Sequence, residues 1–141
     1  MKRVCLSLFL GAISAVALAQ EPVPLRTLPF SPARVAGDTV YLSGSVARTP
    51  DGKDVRDSVG AETHQVMKNL GRVLREHGLD YDDVVSATVY LKDIGDYKEM
   101  NEAYATYFKK GDYPARACVG GVELVFDFRV EISFIAHKGD K

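Results

Sequence analysis

Residues 113–136 read YPARACVGGVELVFDFRVEISFIA. In Arg129-Val130-Glu131-Ile132-Ser133-Phe134 charged or polar side chains alternate with apolar ones, which predicts a strand with one face buried. Strand side chains point to opposite faces in turn. Val130, Ile132 and Phe134 therefore share one side, and Glu131 shares the other with Arg129 and Ser133. Fifteen positions before Glu131, Arg116 stands in the small, apolar run Pro114, Ala115, Ala117, Cys118 and Val119, which reads as a second strand. A guanidinium and a carboxylate among apolar neighbours are costly unless paired or used. Pattern alone leaves two readings open: an ion pair that ties two late strands together, or side chains kept for a function.

The elements before this stretch follow from the same periodicities. Val84–Leu91 (VVSATVYL) is rich in β-branched residues and predicts a buried strand. From about Gly60 to His77, Val66, Leu70, Val73 and Leu74 recur at helical spacing with Met67 beside them. Asp57 or Ser58 suits its start and Gly78 its end. A second helix is predicted from about Asp96 to Lys109, with Met100, Ala103, Tyr104, Tyr107 and Phe108 on one stripe and Gly111 as the stop. Arg34–Ser43 reads as a hairpin about Gly37-Asp38, ending at Gly44, where another group can approach the backbone closely. Val46–Ser58, with Pro50-Asp51-Gly52, is a surface loop.

The order is β-β-α-β-α-β-β, an α+β class with one mixed sheet covered by two helices on one face. The other sheet face retains apolar side chains, which predicts burial against further copies of the chain and clefts shared between them.

The N-terminus has Lys2-Arg3, an apolar run from Val4 to Leu18 and an Ala17-Leu18-Ala19 site, the layout of an export signal occupying residues 1–19. The apolar run is short for a membrane span, so no membrane association is expected after cleavage, and the expected location is the bacterial periplasm or outside the cell. Removing 19 of 141 residues leaves 122, enough for one domain. Residues 20–33 hold Pro22, Pro24, Pro29 and Pro32 and predict an extended arm; 34–137 form the domain and 138–141 a polar tail. Without Lys2 and Arg3, 16 of the 18 basic side chains face 19 acidic ones, a net −3, which argues against nucleic acid as a partner. Cys118 becomes the one remaining thiol, so no internal disulfide is expected. His64, His77 and His137 stand apart, and no metal site is predicted.

Pro114-Ala115-Arg116-Ala117-Cys118-Val119, followed at fixed distance by Val130-Glu131-Ile132, resembles the reactive intermediate deaminase (RidA/YjgF) family. Val40-Tyr41-Leu42-Ser43-Gly44, Val84–Leu91 and Met100-Asn101-Glu102-Ala103-Tyr104 support the resemblance in the same order, along essentially the whole chain after the leader. It implies a chorismate-mutase-like fold, a homotrimer with clefts between subunits, and hydrolysis of enamines and imines such as 2-aminoacrylate to 2-keto acids and ammonia, without a cofactor. It implies that Arg116 holds the substrate carboxylate, that Glu131 orients the attacking water, and that Ser43, Gly44, Asn101 and Cys118 line the site. Phe30 stands where archetypal members carry a tyrosine, keeping the ring and losing the hydroxyl. Leu124-Val125-Phe126 replaces a Leu-Pro-Lys turn, and Ser133 replaces a second acid. The alternative function is a non-catalytic module that holds a small carboxylate in the same inter-subunit cleft. A third class is RNA cleavage or protein protection, both ascribed to relatives; the acidic charge and the lack of a basic stripe argue against RNA.

Overall fold

The alternation read in the last strand is realised. In β5 (Val130–His137), Val130, Ile132, Phe134 and Ala136 are buried, while Glu131, Ser133 and Ile135 are half-buried. A computed structural model describes residues 29–139. The leader at 1–19, residues 20–28 of the arm and the last two residues of the tail lie outside that range. The other elements are β1 (Ala33–Ala36), β2 (Thr39–Ser45), α1 (Val59–Glu76), β3 (Val84–Leu91), α2 (Tyr97–Ala105) and β4 (Ala115–Gly120). The order is the expected β-β-α-β-α-β-β.

The five strands form one sheet in the order β1-β2-β5-β3-β4. Only β3 and β4 run parallel; the other neighbours are antiparallel. Parallel neighbours need a crossover connection, and α2 supplies it. The β1–β2 hairpin has the two-residue connection Gly37-Asp38, with Gly37 at φ +59, a conformation a glycine adopts without steric cost. Both helices cover one face. Val66, Met67, Leu70 and Leu74 of α1 and Met100 and Tyr104 of α2 pack with Val40, Val89, Ile132 and Phe134 in a single core.

Ser58, one of the two residues suited to start α1, is its cap: its Oγ accepts the Ala61 N–H at 3.1 Å. The free Gly60 N–H in the same turn donates to Glu99 Oε1 of α2 at 2.9 Å. The Ser58 hydroxyl and this N–H hold the Glu99 carboxyl below its usual range. One helix therefore helps to cap the other. Ser58→Ala is expected to lower stability by about 1 kcal/mol, read from a denaturant midpoint; an unchanged midpoint would mean Glu99 alone satisfies that turn.

The second helix is shorter than the apolar stripe suggested. It stops at Ala105, where Thr106, Tyr107 and Phe108 switch to i→i−3 bonds and the Thr106 hydroxyl takes the Ala103 carbonyl at 2.7 Å. Phe108 is still buried, because the turn keeps it against Tyr104 and Phe134. Arg129, expected beside Glu131, lies before β5. Its backbone N–H donates to the buried Glu62 of α1 at 2.8 Å and its guanidinium approaches the same carboxylate at 3.7 Å. The turn at Leu124-Val125-Phe126 is unusual: Phe126 and Asp127 hold φ +55 and +63, with both carbonyls accepting from Arg56. The sheet face opposite the helices is uncovered within one chain and exposes Tyr41, Tyr90 and Val119. Among the described residues no helix is long and apolar enough to cross a membrane.

Candidate functional site

Cross-strand register decides where the two candidate charges lie. Ala87 of β3 is paired with Arg116 on one side and Phe134 on the other, and Ala87 and Phe134 are both buried under the helices. Paired residues share a face, so Arg116 belongs to the helix side, near the β4 edge of the sheet. Tyr90 is paired with Val119 and with Glu131, and Tyr90 and Val119 are exposed. Glu131 therefore belongs to the uncovered face. Within one chain these side chains point to opposite sides of the sheet, and no ion pair joins them. The reading of Arg116 and Glu131 as a tie between two strands is corrected by this geometry.

Around Arg116 the chain builds an aromatic bracket. Tyr97, Asn101 and Tyr104 recur at i, i+4 and i+7 on α2, so they share one helix face. The guanidinium lies over the Tyr104 ring at 4.8 Å and near that of Tyr97 at 5.7 Å, and its Nη2 donates to the Tyr97 hydroxyl at 3.3 Å. A guanidinium over a tyrosine face is attracted by the ring quadrupole. Arg116 makes no ion pair with a described carboxylate, which leaves its planar fork free for a bidentate partner. A cavity of ≈ 450 Å³ opens beside it, lined by Asn101, Tyr104, Ala105, Tyr113, Pro114 and Arg116. The Tyr104 hydroxyl is buried without a hydrogen-bond partner, and burial pushes its pKa up to about 12 against the opposing pull of Arg116. It stays protonated at neutral pH.

Glu131 lies on the other face, where its carboxylate rests against Gly44 of β2. It makes no ion pair or side-chain hydrogen bond with a described residue. Ser43 and Gly44 line a second hollow of ≈ 270 Å³ together with the exposed Phe30 and with Pro32. Ser43 faces the arm: its N–H donates to the Pro32 carbonyl at 3.0 Å and its hydroxyl to the Ser31 carbonyl at 2.7 Å. These bonds fix the arm on β2.

The predicted site residues thus fall into two groups. Phe30, Ser43 and Gly44 line the hollow between β2 and α1, which Glu131 meets only through Gly44, and Asn101 and Arg116 cluster at α2 and β4. Cys118 pairs with Val89, which puts it on the Arg116 side, packed against the core. Burial raises its thiol pKa, only partly offset by Arg116, so it is a neutral thiol and not an activated nucleophile. Tyr97 and Tyr113 were not anticipated as neighbours of Arg116, and Tyr104 was read only as core. The i, i+4, i+7 spacing of Tyr97, Asn101 and Tyr104 is the signal that would have found that face. Among the described residues no cluster of His, Cys, Asp or Glu could hold a metal.

One mixed sheet with helices on one face, with Arg116 at its edge and Glu131 on its open face, neither ion-paired with a described residue, defines a small α+β protein. Residues 20–138 match the family described as endoribonuclease L-PSP, and the chain belongs to that family, the RidA/YjgF group whose motifs it carries. It is 37% identical over 132 residues to Reactive Intermediate Deaminase A, chloroplastic, of Arabidopsis thaliana, covering 93% of this chain and 70% of that one. It is 37% identical over 131 residues to the mouse 2-iminobutanoate/2-iminopropanoate deaminase, covering 92% and 96%. The crystal structure of yeast Mmf1 superposes with a TM-score of 0.77 at 34% identity, covering 82% of this chain and 92% of that one. The architecture is the chorismate-mutase-like one that the motifs implied.

Proposed function

We propose that the protein hydrolyses 2-imino acids and their enamine tautomers, 2-aminoacrylate among them, to 2-keto acids and ammonia. The observation that carries this reading is Arg116: bracketed by Tyr97 and Tyr104, without a carboxylate partner, beside a cavity of ≈ 450 Å³. A 2-imino acid offers a carboxylate to that fork, two parallel charge-assisted hydrogen bonds in the geometry a guanidinium favours. The imine carbon next to it is already electrophilic, so no cofactor is required. Glu131 orients a water toward that carbon and takes its proton as the C–O bond forms. That proton passes to the nitrogen to give a carbinolamine; its hydroxyl then gives up its proton as a second proton reaches the nitrogen, the C–N bond breaks, and ammonia leaves a keto acid. Water and imine are consumed, and no oxidant or reductant enters.

Arg116 and Glu131 act on one substrate only if two chains meet. Arg116 lies on β4, an edge strand with Ala115, Ala117 and Val119 exposed, so a neighbouring copy can reach it. The uncovered face with Tyr41, Tyr90 and Val119 supplies apolar surface for such an assembly. We therefore include in the proposal a homotrimer with its clefts between subunits. Export belongs to it as well: the family match begins at residue 20, directly after the leader read in the sequence. The deaminases to which the chain is similar suit the catalytic version; Phe30, which lacks a hydroxyl, suits a module that binds small carboxylates without turnover.

The test uses residues 20–141 and 2-iminobutanoate made in situ by an amino-acid oxidase. Imine loss faster than the protein-free blank, from a species of three-chain mass, is expected. A folded trimer that leaves the imine at the blank rate but binds 2-ketobutanoate would replace the deaminase reading with the binding module. A stable monomer would overturn the shared cleft.

A further inference from the structure

We infer that Gly44 is a positioning residue for Glu131: the space left by its missing side chain seats the glutamate carboxylate. This rests on the deaminase reading for its consequence, and on geometry alone for the seat.

The seat begins with the pairing of β2 and β5. Leu42 is opposite Phe134 and Ser45 is opposite Ile132, so Ser43 and Gly44 together face the single residue Ser133. This is a β-bulge, a device that re-aims side chains and recurs next to active sites. A Cβ built on Gly44 would lie 2.0 Å from Glu131 Oε1, 2.9 Å from its Cδ and 3.2 Å from its Cγ. The end of the glutamate occupies the volume an alanine methyl would need.

Backbone conformation does not call for glycine here. Gly37, Gly52, Gly78, Gly111 and Gly121 hold positive φ, and Gly44 does not. An L-residue could adopt its backbone, but its methyl would push the flexible end of Glu131 out of this position. Nor does anything else aim the carboxylate, which has no ion pair or hydrogen bond with a described residue. A glutamate side chain is flexible, and holding it in one direction costs rotamer entropy. The packing against Gly44 provides that restraint, and the bulge is itself held, because both hydrogen bonds of Ser43 go to Ser31 and Pro32 of the arm. Arm, bulge and carboxylate form one mechanical chain. A water delivered to an imine carbon tolerates little misplacement, since about 1 Å can cost on the order of 100-fold.

The test is a pair of two-site cycles. In turnover, Gly44→Ala is expected to lower kcat by about 10- to 100-fold, a larger effect than any on KM, because the Arg116 fork is untouched. Glu131→Asp withdraws the carboxylate by one methylene and also lowers kcat. The double variant is expected to be markedly faster than the product of the two single losses, because the shorter acid no longer meets the added methyl. In stability, Gly44→Ala is expected to be less favourable for Tm in the parent, where the methyl displaces the carboxylate, than in a Glu131→Ala background, where the methyl has room and the alanine restricts the unfolded chain. That second cycle needs no turnover, so a parent without deaminase activity leaves it decisive. Additive effects in the stability cycle would overturn the seat, as would a Gly44→Ala protein that fails to fold whether or not Glu131 is present. A coupled stability cycle with additive kinetics would confine the contact to structure and overturn the positioning role.

Discussion

Arg116→Ala is expected to lower kcat/KM for 2-iminobutanoate by about 10²- to 10⁴-fold, with most of the loss in KM. Two charge-assisted hydrogen bonds to a carboxylate are worth about 1.5–3 kcal/mol each, and each ~1.4 kcal/mol is a factor of ten. The loss appears in KM because the substrate carboxylate is not the reacting group, and the fork holds it in the ground state as well as the transition state. Arg116→Lys separates charge from geometry. A lysine keeps the charge but has a single ammonium in place of the planar fork, and it stacks poorly over Tyr104, so it should recover only part of the loss. The fold should survive either change. Arg116 is half-buried at a sheet edge, and its interaction with Tyr104 at 4.8 Å contributes about 0.5–2 kcal/mol. Steady-state rates with the imine generated in situ, beside a mass measurement, decide the matter. Arg116→Ala with KM within threefold of the parent would place the carboxylate elsewhere.

Much of this architecture was legible because two periodicities are clean. The alternation of Val130, Ile132 and Phe134 marked β5, and the spacing of Val66, Leu70, Val73 and Leu74 marked α1. Boundaries were harder where the apolar pattern outlasts the hydrogen bonding. Tyr107 and Phe108 continue the stripe of α2 by position, yet the Thr106 hydroxyl takes the Ala103 carbonyl and the chain leaves the helix there. Arg129 continues the alternation of β5 in sequence, but its partner is the buried Glu62, and nothing local announces a carboxylate 67 residues away. The site shows the same limit at larger scale. Arg116 and Glu131 were identifiable one by one from their motifs. Their opposite facing depends on how β4 and β5 both register with β3, and a shift of one residue would turn every side chain over. Only the pairing of Ala87 with Arg116, and of Tyr90 with Glu131, reveals that the two side chains leave opposite faces of the sheet.

Glu131→Gln is expected to lower kcat by about 10²- to 10⁴-fold while KM, folding and assembly stay close to those of the parent. Glutamine has nearly the shape of glutamate, so it can occupy the seat over Gly44 and leave the bulge intact. What it loses is the ability to accept a proton from water as the water attacks. The carboxylate makes no ion pair within the chain, so its removal strands no buried cation, the usual reason that deleting one charge destabilises a fold. The contrast with Arg116 is the substance of the proposal: one side chain should act in KM and the other in kcat, from opposite faces of the sheet. Mixing the two variants sharpens it. If each site takes Arg116 from one subunit and Glu131 from its neighbour, trimers assembled from Arg116→Ala and Glu131→Gln chains, assayed at substrate below the parent KM where both are impaired, will contain some fully intact clefts. Activity should then return on mixing after dissociation and reassembly. Mixed trimers that stay inactive while matching the parent in mass would place both residues in the same site from the same chain, or leave the cleft without turnover.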